Sequence, residues 1–221
     1  VRHIAFNTEA ERQLCRSVFG RFLAPNSIVG CGIEMAPEAE WSGVKAKYEL
    51  PDEYVLYLGR VSKAKVDKLL PYFLRCKAKY GGDAKLVLVG GFENEIRKFD
   101  SPDILFTGYV SDEEKTAIVR HATVMVNPSP MESLSLLMLE GMQSRIPLLV
   151  NGRSKVMKDH CRLSGAGLWY NNGRDFRKKL HRLLSDPELR RTMSEKGPAY
   201  VREHYDWEII IPKLRTLIES I

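Results

Sequence analysis

From about residue 53 onward, short apolar runs alternate with amphipathic stretches, and this alternation constrains the fold more than any other feature of the sequence. Five buried strands are predicted at residues 54–58, 85–89, 104–107, 123–126 and 147–150, with a sixth candidate at 167–170. Apolar residues at helical spacing predict helices at residues 66–80, 112–121, 134–144 and from about 175 onward. Strands and helices in this order predict an α/β class, a Rossmann-like parallel sheet with helices on both faces.

The residues that follow the strands are the first candidates for a ligand site. In open parallel sheets, ligands bind in a crevice beyond the carboxyl ends of the strands. The segments to examine are therefore Gly59–Arg60, Gly90–Gly91, Gly108–Val110 and Pro128–Glu132.

The first fifty residues follow a different pattern. Ile4–Phe6 resembles the end of a strand, and Asn7 or Thr8 can cap a helix over about Glu9–Phe19, whereas residues 36–52 are predicted to be irregular. Because the chain begins with Val1 rather than Met, we expect that it was cut from a longer protein. Residues 1–50 are predicted to be the remnant of an N-terminal domain plus a linker, and residues 51–221 the α/β domain with its C-terminal helices.

Charge and cysteine usage narrow the class of ligand and the compartment. Thirty-four Lys and Arg against 28 Asp and Glu give a net charge of +6, which suits an anion such as a phosphate. No basic run interleaved with aromatic residues is present, so no nucleic-acid partner is predicted. The four cysteines lack metal-ligand spacing and are expected to be free thiols in a reducing cytoplasm. No apolar run is long enough to span a bilayer, and contact of the longer protein with the cytoplasmic membrane face is left open.

Several familiar catalytic motifs are absent. The sequence has no G-x-G-x-x-G fingerprint, no P-loop and no serine nucleophile elbow. It also lacks an Asp-x-Asp pair that could hold a metal against a diphosphate. We therefore expect no cofactor, no metal site and metal-independent handling of phosphate.

Two glutamates stand eight positions apart across a strand end, a loop and a helix. Glu132 lies in the predicted loop and Glu140 in the predicted helix, whose free N–H groups at Leu134, Ser135 and Leu136 would face an anion. One carboxylate can accept hydrogen bonds from sugar hydroxyls and the other from ribose hydroxyls. The alternative is a helix-start residue and a solvated helix residue without a ligand.

The wider context of this glutamate pair resembles one known family. The matching segments are Leu56–Arg60, Leu86–Gly90, Ile104–Ser111, Pro147–Val150, Leu184–Arg190 and Tyr205–Glu208. In this order, together with the E-x7-E spacing, they resemble the retaining glycosyltransferases of group 1, which have the two-domain GT-B fold. The resemblance covers roughly residues 53–215 and is specific as an ordered set. Asn7–Arg12 also resembles the last helix of that family's N-terminal domain.

The resemblance implies roles for the residues after the first strands. The sugar donor would bind mainly to this C-terminal domain, with Gly59, Arg60 and a nearby lysine at the diphosphate. Lys65 has the usual spacing from Arg60, Lys63 is a rival, and the glycine that usually follows the lysine is replaced by Val66. An arginine suits this position because its planar fork binds two phosphate oxygens.

The resemblance also implies which residues would contact the base, the ribose and the sugar of the donor. Tyr109 and Val110 would lie near the base, Glu140 at the ribose, and Glu132 at the donor sugar as the catalytic residue. Residues 133–136 would surround the diphosphate; they are Ser133, Leu134, Ser135 and Leu136. Ser133–Ser135 replaces a frequent Gly-Phe-Gly, so the conformational freedom of glycine is lost there. Arg153 and Lys155 either add positive charge to the mouth of the cleft or are solvated loop residues.

The implied function is sugar transfer in glycan biosynthesis. A hexosyltransferase-like enzyme would move the sugar of a nucleoside-diphosphate sugar to an acceptor hydroxyl with retention. The acceptor, a glycan or a lipid-linked sugar, would be held by the N-terminal domain, so the isolated chain is expected to be inactive. The alternatives are a non-catalytic nucleotide-sugar-binding module and an epimerase or phosphorylase on the same fold.

Overall fold

A computed structural model describes residues 1–21, 24–93 and 101–219 of the chain. The strands among these residues are β1 (Ile4–Phe6), β2 (Asn26–Ile28), β3 (Tyr54–Leu58), β4 (Lys85–Val89), β5 (Ile104–Gly108), β6 (Val124–Asn127), β7 (Leu148–Asn151) and β8 (Gly167–Tyr170). The helices are α1 (Glu9–Phe19), α2 (Trp41–Lys47), α3 (Lys63–Val66), α4 (Leu69–Tyr80), α5 (Asp112–Arg120), α6 (Leu136–Gln143), α7 (Lys155–Ser164), α8 (Gly173–Ser185), α9 (Pro187–Tyr205) and α10 (Trp207–Glu219). None of these helices has the length and apolar character required to cross a membrane.

The strands β3 to β8 form one six-stranded sheet in the order β5-β4-β3-β6-β7-β8, and every pair is parallel. The chain runs outward from β3 to β5 and then returns, so that β6 pairs with the other side of β3. The order of the strands therefore reverses between β3 and β6, which is where parallel sheets open a crevice for ligands. The predicted Rossmann-like α/β fold is confirmed.

Both faces of the sheet are buried, which explains why its strands are continuous apolar runs. On β3, Tyr54, Leu56 and Leu58 pack in a core with residues of α2, α5, α6, α7 and α9. Val55 and Tyr57 point to the other face and pack with residues of α3, α4 and α8. Successive side chains of a strand point to opposite faces, so one five-residue strand contributes to two cores.

The structure differs from the sequence-based prediction in one expected helix and in two helices that were not expected. The helix predicted over residues 66–80 is two helices, α3 and α4, because Pro71 fits only in the first turn and α4 must begin just before it, at Leu69. The segment predicted to be irregular contains α2, whose first N–H groups at Ser42 and Gly43 donate to the Glu40 carboxylate at 2.9 and 2.7 Å. The helix α7 was not predicted; Ser154 caps it by accepting from the N–H of Met157 at 3.3 Å.

The first fifty residues contribute a small second sheet. Strands β1 and β2 pair in parallel, and α1 follows β1 as predicted, with Thr8 Oγ1 as the cap that accepts from Glu11 N–H at 3.0 Å. Thr8 Oγ1 also lies 3.4 Å from the carbonyl oxygen of Ser133 and donates to it. This contact ties the N-terminal segment to the loop that precedes α6. The division into residues 1–50 and 51–221 stays a prediction.

Candidate functional site

The loops after β3, β4 and β5 are stacked on one another at the carboxyl edge of the sheet. Gly59 N–H donates to the carbonyl of Val89 at 3.0 Å, and Gly90 N–H donates to the carbonyl of Gly108 at 2.9 Å. A Cβ atom on Gly90 would lie 2.3 Å from the Gly59 carbonyl oxygen, and its φ is +130°, so only glycine fits there. The glycines thus keep this part of the crevice free of side chains.

Arg60 and Tyr109 line one pocket of about 420 Å³ at this edge, together with Gly91 and Gly108. Arg60 is exposed, and no carboxylate among the described residues forms an ion pair with it. The Tyr109 side chain is 86% exposed, and its ring lies against Gly91, where an added Cβ would be 2.5 Å from a ring carbon. The structure therefore brings together the residues predicted for the diphosphate and for the base.

A network of short hydrogen bonds holds the loop between β6 and α6. Asn127 Oδ1 accepts from Ser129 N–H at 3.0 Å, and Asn127 Nδ2 donates to Ser135 Oγ at 3.0 Å. Asn151 Nδ2, at the end of β7, donates to the Pro128 carbonyl at 2.9 Å. The loop that carries Glu132 is therefore fixed at both of its ends.

Tyr57 connects this loop to the loop after β3. Its hydroxyl donates to the Arg60 carbonyl at 2.9 Å, and its side chain is buried. Burial raises the pKa of Tyr57 to about 12, and the negative charge of Glu132 adds to the rise. Glu132 is half-buried, and its charge acts on Tyr57, whose hydroxyl is bonded to the loop of Arg60. From the sequence, Tyr57 was predicted only as a strand residue, because an apolar run gives no signal for a buried hydroxyl.

The helix α6 begins at Leu136, two residues later than predicted. Ser135 is the N-cap in a left-handed conformation, with φ 66° and ψ 71°, and the buried Leu134 precedes it in the turn. Among the described residues, the N–H groups of Leu136 and Leu137 have no acceptor, and neither have those of Leu134 and Ser135, whereas Met138 and Leu139 donate to the Ser135 carbonyl. Free N–H donors therefore remain at the start of the helix and in the turn before it, which favours an anion there.

Glu140 is the fifth residue of α6 and faces α5. Its side chain is only 13% exposed, and its Oε1 lies 3.3 Å from Lys115 Nζ. Its Oε2 is buried and has no hydrogen-bond partner among the described residues. The alternative of a solvated helix residue is therefore wrong for Glu140, and a buried carboxylate oxygen is left to accept from a ligand.

Lys115 is a site residue that the sequence analysis missed. It sits in the first turn of α5, the helix that follows Tyr109 and Val110 directly. Burial alone would lower the pKa of Lys115, but the Glu140 and Asp112 carboxylates outweigh it and raise the pKa above its usual value. Lys115 therefore stays charged and holds the Glu140 carboxylate in place. Its partner Glu140 lies 25 residues further along the chain, and nothing in the sequence around a lysine in the first turn of a helix indicates such a pairing.

Lys65 lies in a different pocket from Arg60. Lys63 and Lys65 are both exposed residues of the short helix α3, and the backbone N–H of Lys63 donates to Glu93 Oε2 at 3.2 Å. Lys65 lines a second pocket together with Arg153, whereas Lys155 is the exposed first residue of α7. Glu93 belongs to the pocket of Arg60 and Tyr109.

Comparison with known proteins gives the family. The family described as glycosyl transferases group 1 matches residues 43–200. Among curated proteins, alpha-D-kanosaminyltransferase of Streptomyces kanamyceticus is 30% identical over 174 residues, which are 72% of this chain and 44% of that protein. Glycosyltransferase 1 domain-containing protein 1 of Xenopus tropicalis is 26% identical over 58% of this chain and 36% of its own length. The chain thus spans less than half the length of these two relatives.

Solved structures agree on the fold. Sucrose-phosphate synthase from Thermosynechococcus elongatus superposes with a TM-score of 0.79 at 20% identity, over 99% of this chain and 58% of that one. Anabaena HepE in complex with UDP gives a TM-score of 0.83 at 12% identity, over 100% of this chain and 64% of that one. At these identities the likeness concerns the fold alone.

Proposed function

Because this chain belongs to the glycosyl transferases group 1 family, we propose that it is the domain that binds a nucleoside-diphosphate sugar. In the longer protein, the sugar would be transferred to an acceptor hydroxyl with retention. The acceptor, a glycan or a lipid-linked sugar, would be bound mainly outside residues 51–221.

One observation carries the proposal. An exposed arginine follows β3, and a half-buried carboxylate with one unpaired oxygen lies on α6, the helix that follows the neighbouring strand β6. Arg60 has no anionic partner among the described residues, and the Oε2 of Glu140 has no donor there. An unsatisfied buried carboxylate oxygen costs free energy, and a ribose hydroxyl would remove that cost.

Each group without a partner would bind a different part of the sugar donor. The N–H groups of Leu136 and Leu137 and the guanidinium of Arg60 would bind the diphosphate. Glu140, held by Lys115, would accept from the ribose, while Tyr109 and Val110 would border the base. These assignments place the nucleotide across the crevice from the pocket of Arg60 to the start of α6.

Glu132 is left for the sugar and the reacting bond. It lies near the buried hydroxyl of Tyr57 and on the loop that Asn127 and Asn151 fix. Transfer needs stabilisation of the charge that develops on the leaving diphosphate. Arg60 and the start of α6 would supply that stabilisation, and Glu132 would hold the sugar in position against the acceptor. We propose that no metal ion takes part.

The test is a calorimetric titration of three variants against a nucleoside, its diphosphate and its nucleotide sugar. Arg60→Ala should weaken the diphosphate and the nucleotide sugar by about ten- to a hundredfold, because a charged hydrogen bond is worth about 1.5–3 kcal/mol. Arg60→Ala should leave the nucleoside almost unchanged. Glu140→Ala should weaken all three ligands, and Glu132→Ala only the nucleotide sugar.

Arg75 and Glu203 provide matched controls, since both are exposed and lie on α4 and α9, away from the crevice. Their alanine variants should bind all three ligands like the wild type. If Arg60→Ala weakened the nucleoside as much as the diphosphate, its assignment would be wrong. If Glu140→Ala changed no affinity, the glutamate pair would have no part in donor binding.

A further inference from the structure

The segment of residues 38–48, which contains α2 and which we name the α2 segment, packs along the helix α5. The backbone N–H of Ala39 donates to the Glu113 carbonyl at 3.1 Å. At the C-terminal end of α5, the ring of Trp41 stacks on the ring of His121, with centroids 3.9 Å apart and an interplanar angle of 3°. Because α5 directly follows the loop proposed to border the base, the α2 segment packs against an element of the proposed donor site.

Two side chains of the α2 segment bind one carboxylate in the first turn of α5, that of Glu114. Lys47 Nζ donates to its Oε1 at 2.6 Å, and the Tyr48 hydroxyl donates to its Oε2 at 2.8 Å. The backbone N–H of Ser111, in the loop after β5, also donates to Oε2, at 3.0 Å. Lys47 and the Ser111 N–H lower the pKa of Glu114 to about 2, so the carboxylate stays charged. Glu114 therefore joins the α2 segment to the loop that carries Tyr109–Val110.

The next residue of α5, Lys115, makes its contacts on another side of the helix. Consecutive residues of an α-helix point in directions about 100° apart. Glu114 faces α2, whereas Lys115 Nζ lies 3.3 Å from Glu140 Oε1 on α6 and 3.3 Å from Asp112 Oδ1. A rotation or shift of this first turn would move Lys115 away from Glu140. The contact of Glu114 with the α2 segment therefore fixes the turn on which that pairing depends.

A helix cap alone would not require the contact with α2. In the capping box, Ser111 Oγ accepts from the Glu114 N–H at 3.2 Å, and the Ser111 N–H donates back to the carboxylate. This arrangement leaves Oε1 of Glu114 free, and Lys47 of the α2 segment occupies it. The exposed neighbour Glu113 lies in the same turn, but its carboxylate has no hydrogen bond or ion pair among the residues that the structure describes.

We propose that Glu114 is a positioning residue for the nucleoside half of the donor site, and that the α2 segment acts on this site through it. The inference rests on the proposed function, because it concerns the base and ribose contacts of the same site. Glu114 itself touches no ligand. Its carboxylate, held by the α2 segment, keeps Lys115 against Glu140 and keeps the loop of Tyr109–Val110 in position. A movement of the α2 segment therefore changes the affinity for the donor.

The test is calorimetry with whichever of UDP, GDP and ADP the wild type binds, and with the corresponding nucleoside. Glu114→Ala should weaken both ligands by the same factor, about tenfold, because both contain the base and the ribose. Glu114→Gln keeps an oxygen that can accept from Tyr48 and Ser111, and it should bind within about threefold of the wild type. Glu113→Ala removes the same charge from the same turn and should bind like the wild type.

A double-mutant cycle separates positioning from a general loss of stability. Lys115→Met removes the contact through which Glu114 acts on the ribose site. In this background, Glu114→Ala should cause a further loss below about threefold, whereas two independent effects would multiply and give the tenfold loss again. Tyr48→Phe removes one hydrogen bond of the carboxylate and should weaken both ligands by about threefold. Circular dichroism checks that each variant is folded at the temperature of the titration.

Three results would overturn the inference while leaving the proposed function in place, provided that Glu140→Ala weakens the nucleoside. The first is a Glu114→Ala variant that is folded and binds like the wild type. The second is an equal loss in Glu113→Ala, which would indicate an effect of net charge alone. The third is full multiplication of the two losses in the Lys115→Met background. If Glu140→Ala changed no affinity, or if the wild type bound none of the nucleotides, the proposed function would fail together with the inference.

Discussion

Ser135 is either the left-handed N-cap of α6 or a residue inside the helix, and the two interpretations predict opposite signs for the stability difference between its glycine and alanine variants. In the structure it is the N-cap of α6 with φ 66°, a conformation that costs a non-glycine residue about 1–2 kcal/mol. Ser135→Gly removes this cost, whereas Ser135→Ala keeps it. Both variants lose the hydrogen bond from Asn127 Nδ2, worth about 0.5–1.5 kcal/mol.

The difference in unfolding free energy between the two variants measures the cost of the left-handed backbone conformation alone. The greater conformational freedom of glycine in the unfolded chain offsets about 0.4–1 kcal/mol of the stability that the glycine variant gains from the unstrained backbone. The glycine variant should therefore be more stable than the alanine variant by about 1 kcal/mol. If Ser135 were instead inside the helix, as its sequence suggested, alanine would be more stable than glycine by about 0.5–1 kcal/mol.

Urea unfolding followed by circular dichroism measures this difference directly. With a slope of about 2 kcal/mol per molar urea, the two midpoints should differ by about 0.5 M. Ser194 is the matched control because it lies within α9, and its hydroxyl donates to the Arg190 carbonyl at 2.7 Å. There the alanine variant should be the more stable one. An alanine variant more stable than the glycine variant at both positions would refute the left-handed cap.

Three further predictions concern a glycine of the stacked loops, the pH dependence of stability and the effect of metal ions on binding. Gly90→Ala should lose several kcal/mol of unfolding free energy, because its Cβ would lie 2.3 Å from the Gly59 carbonyl oxygen; urea unfolding checks this, and a change below about 0.5 kcal/mol would contradict it. Burial lowers the pKa of His160 to about 4. Between about pH 6.5 and 4 the unfolded chain therefore binds one more proton than the folded chain, and the free energy of unfolding falls by up to about 3 kcal/mol as pH falls through this window. A His160→Leu variant should lose this part of the pH dependence of stability, and an unchanged pH dependence would refute the prediction. Affinity for a nucleoside diphosphate should be the same with EDTA as with magnesium or manganese, and a large loss on chelation would contradict metal-independent binding.

The sequence predicted the sheet well because both of its faces are buried. Continuous apolar runs are a strong signal, and β3, β4 and the capped helix α5 appear close to where the pattern placed them. The sequence predicted the short helices less well. The helix α2 depends on the Glu40 carboxylate as its cap, and α4 begins where Pro71 requires it, so local capping rather than apolar periodicity decided both.

The site was predicted in part. Arg60 and Tyr109 line one pocket because β3, β4 and β5 are parallel, so that their carboxyl ends lie at the same edge of the sheet. The pairing of Lys115 with Glu140 joins two helices across the domain, and nothing in the local sequence of either helix signals it. The left-handed Ser135 was equally hidden, because a serine in that position favours no such conformation by itself.

The position of a bound nucleotide on the domain is the decisive test of the proposed donor site. A crystal structure of the chain grown with a nucleoside diphosphate, with UDP, GDP and ADP tried in turn, measures it. We expect the diphosphate at Arg60 and at the N–H groups of Leu136 and Leu137, and we expect ribose hydroxyls that donate to Glu140. A nucleotide bound elsewhere on the domain, with Glu140 still paired only with Lys115, would contradict it.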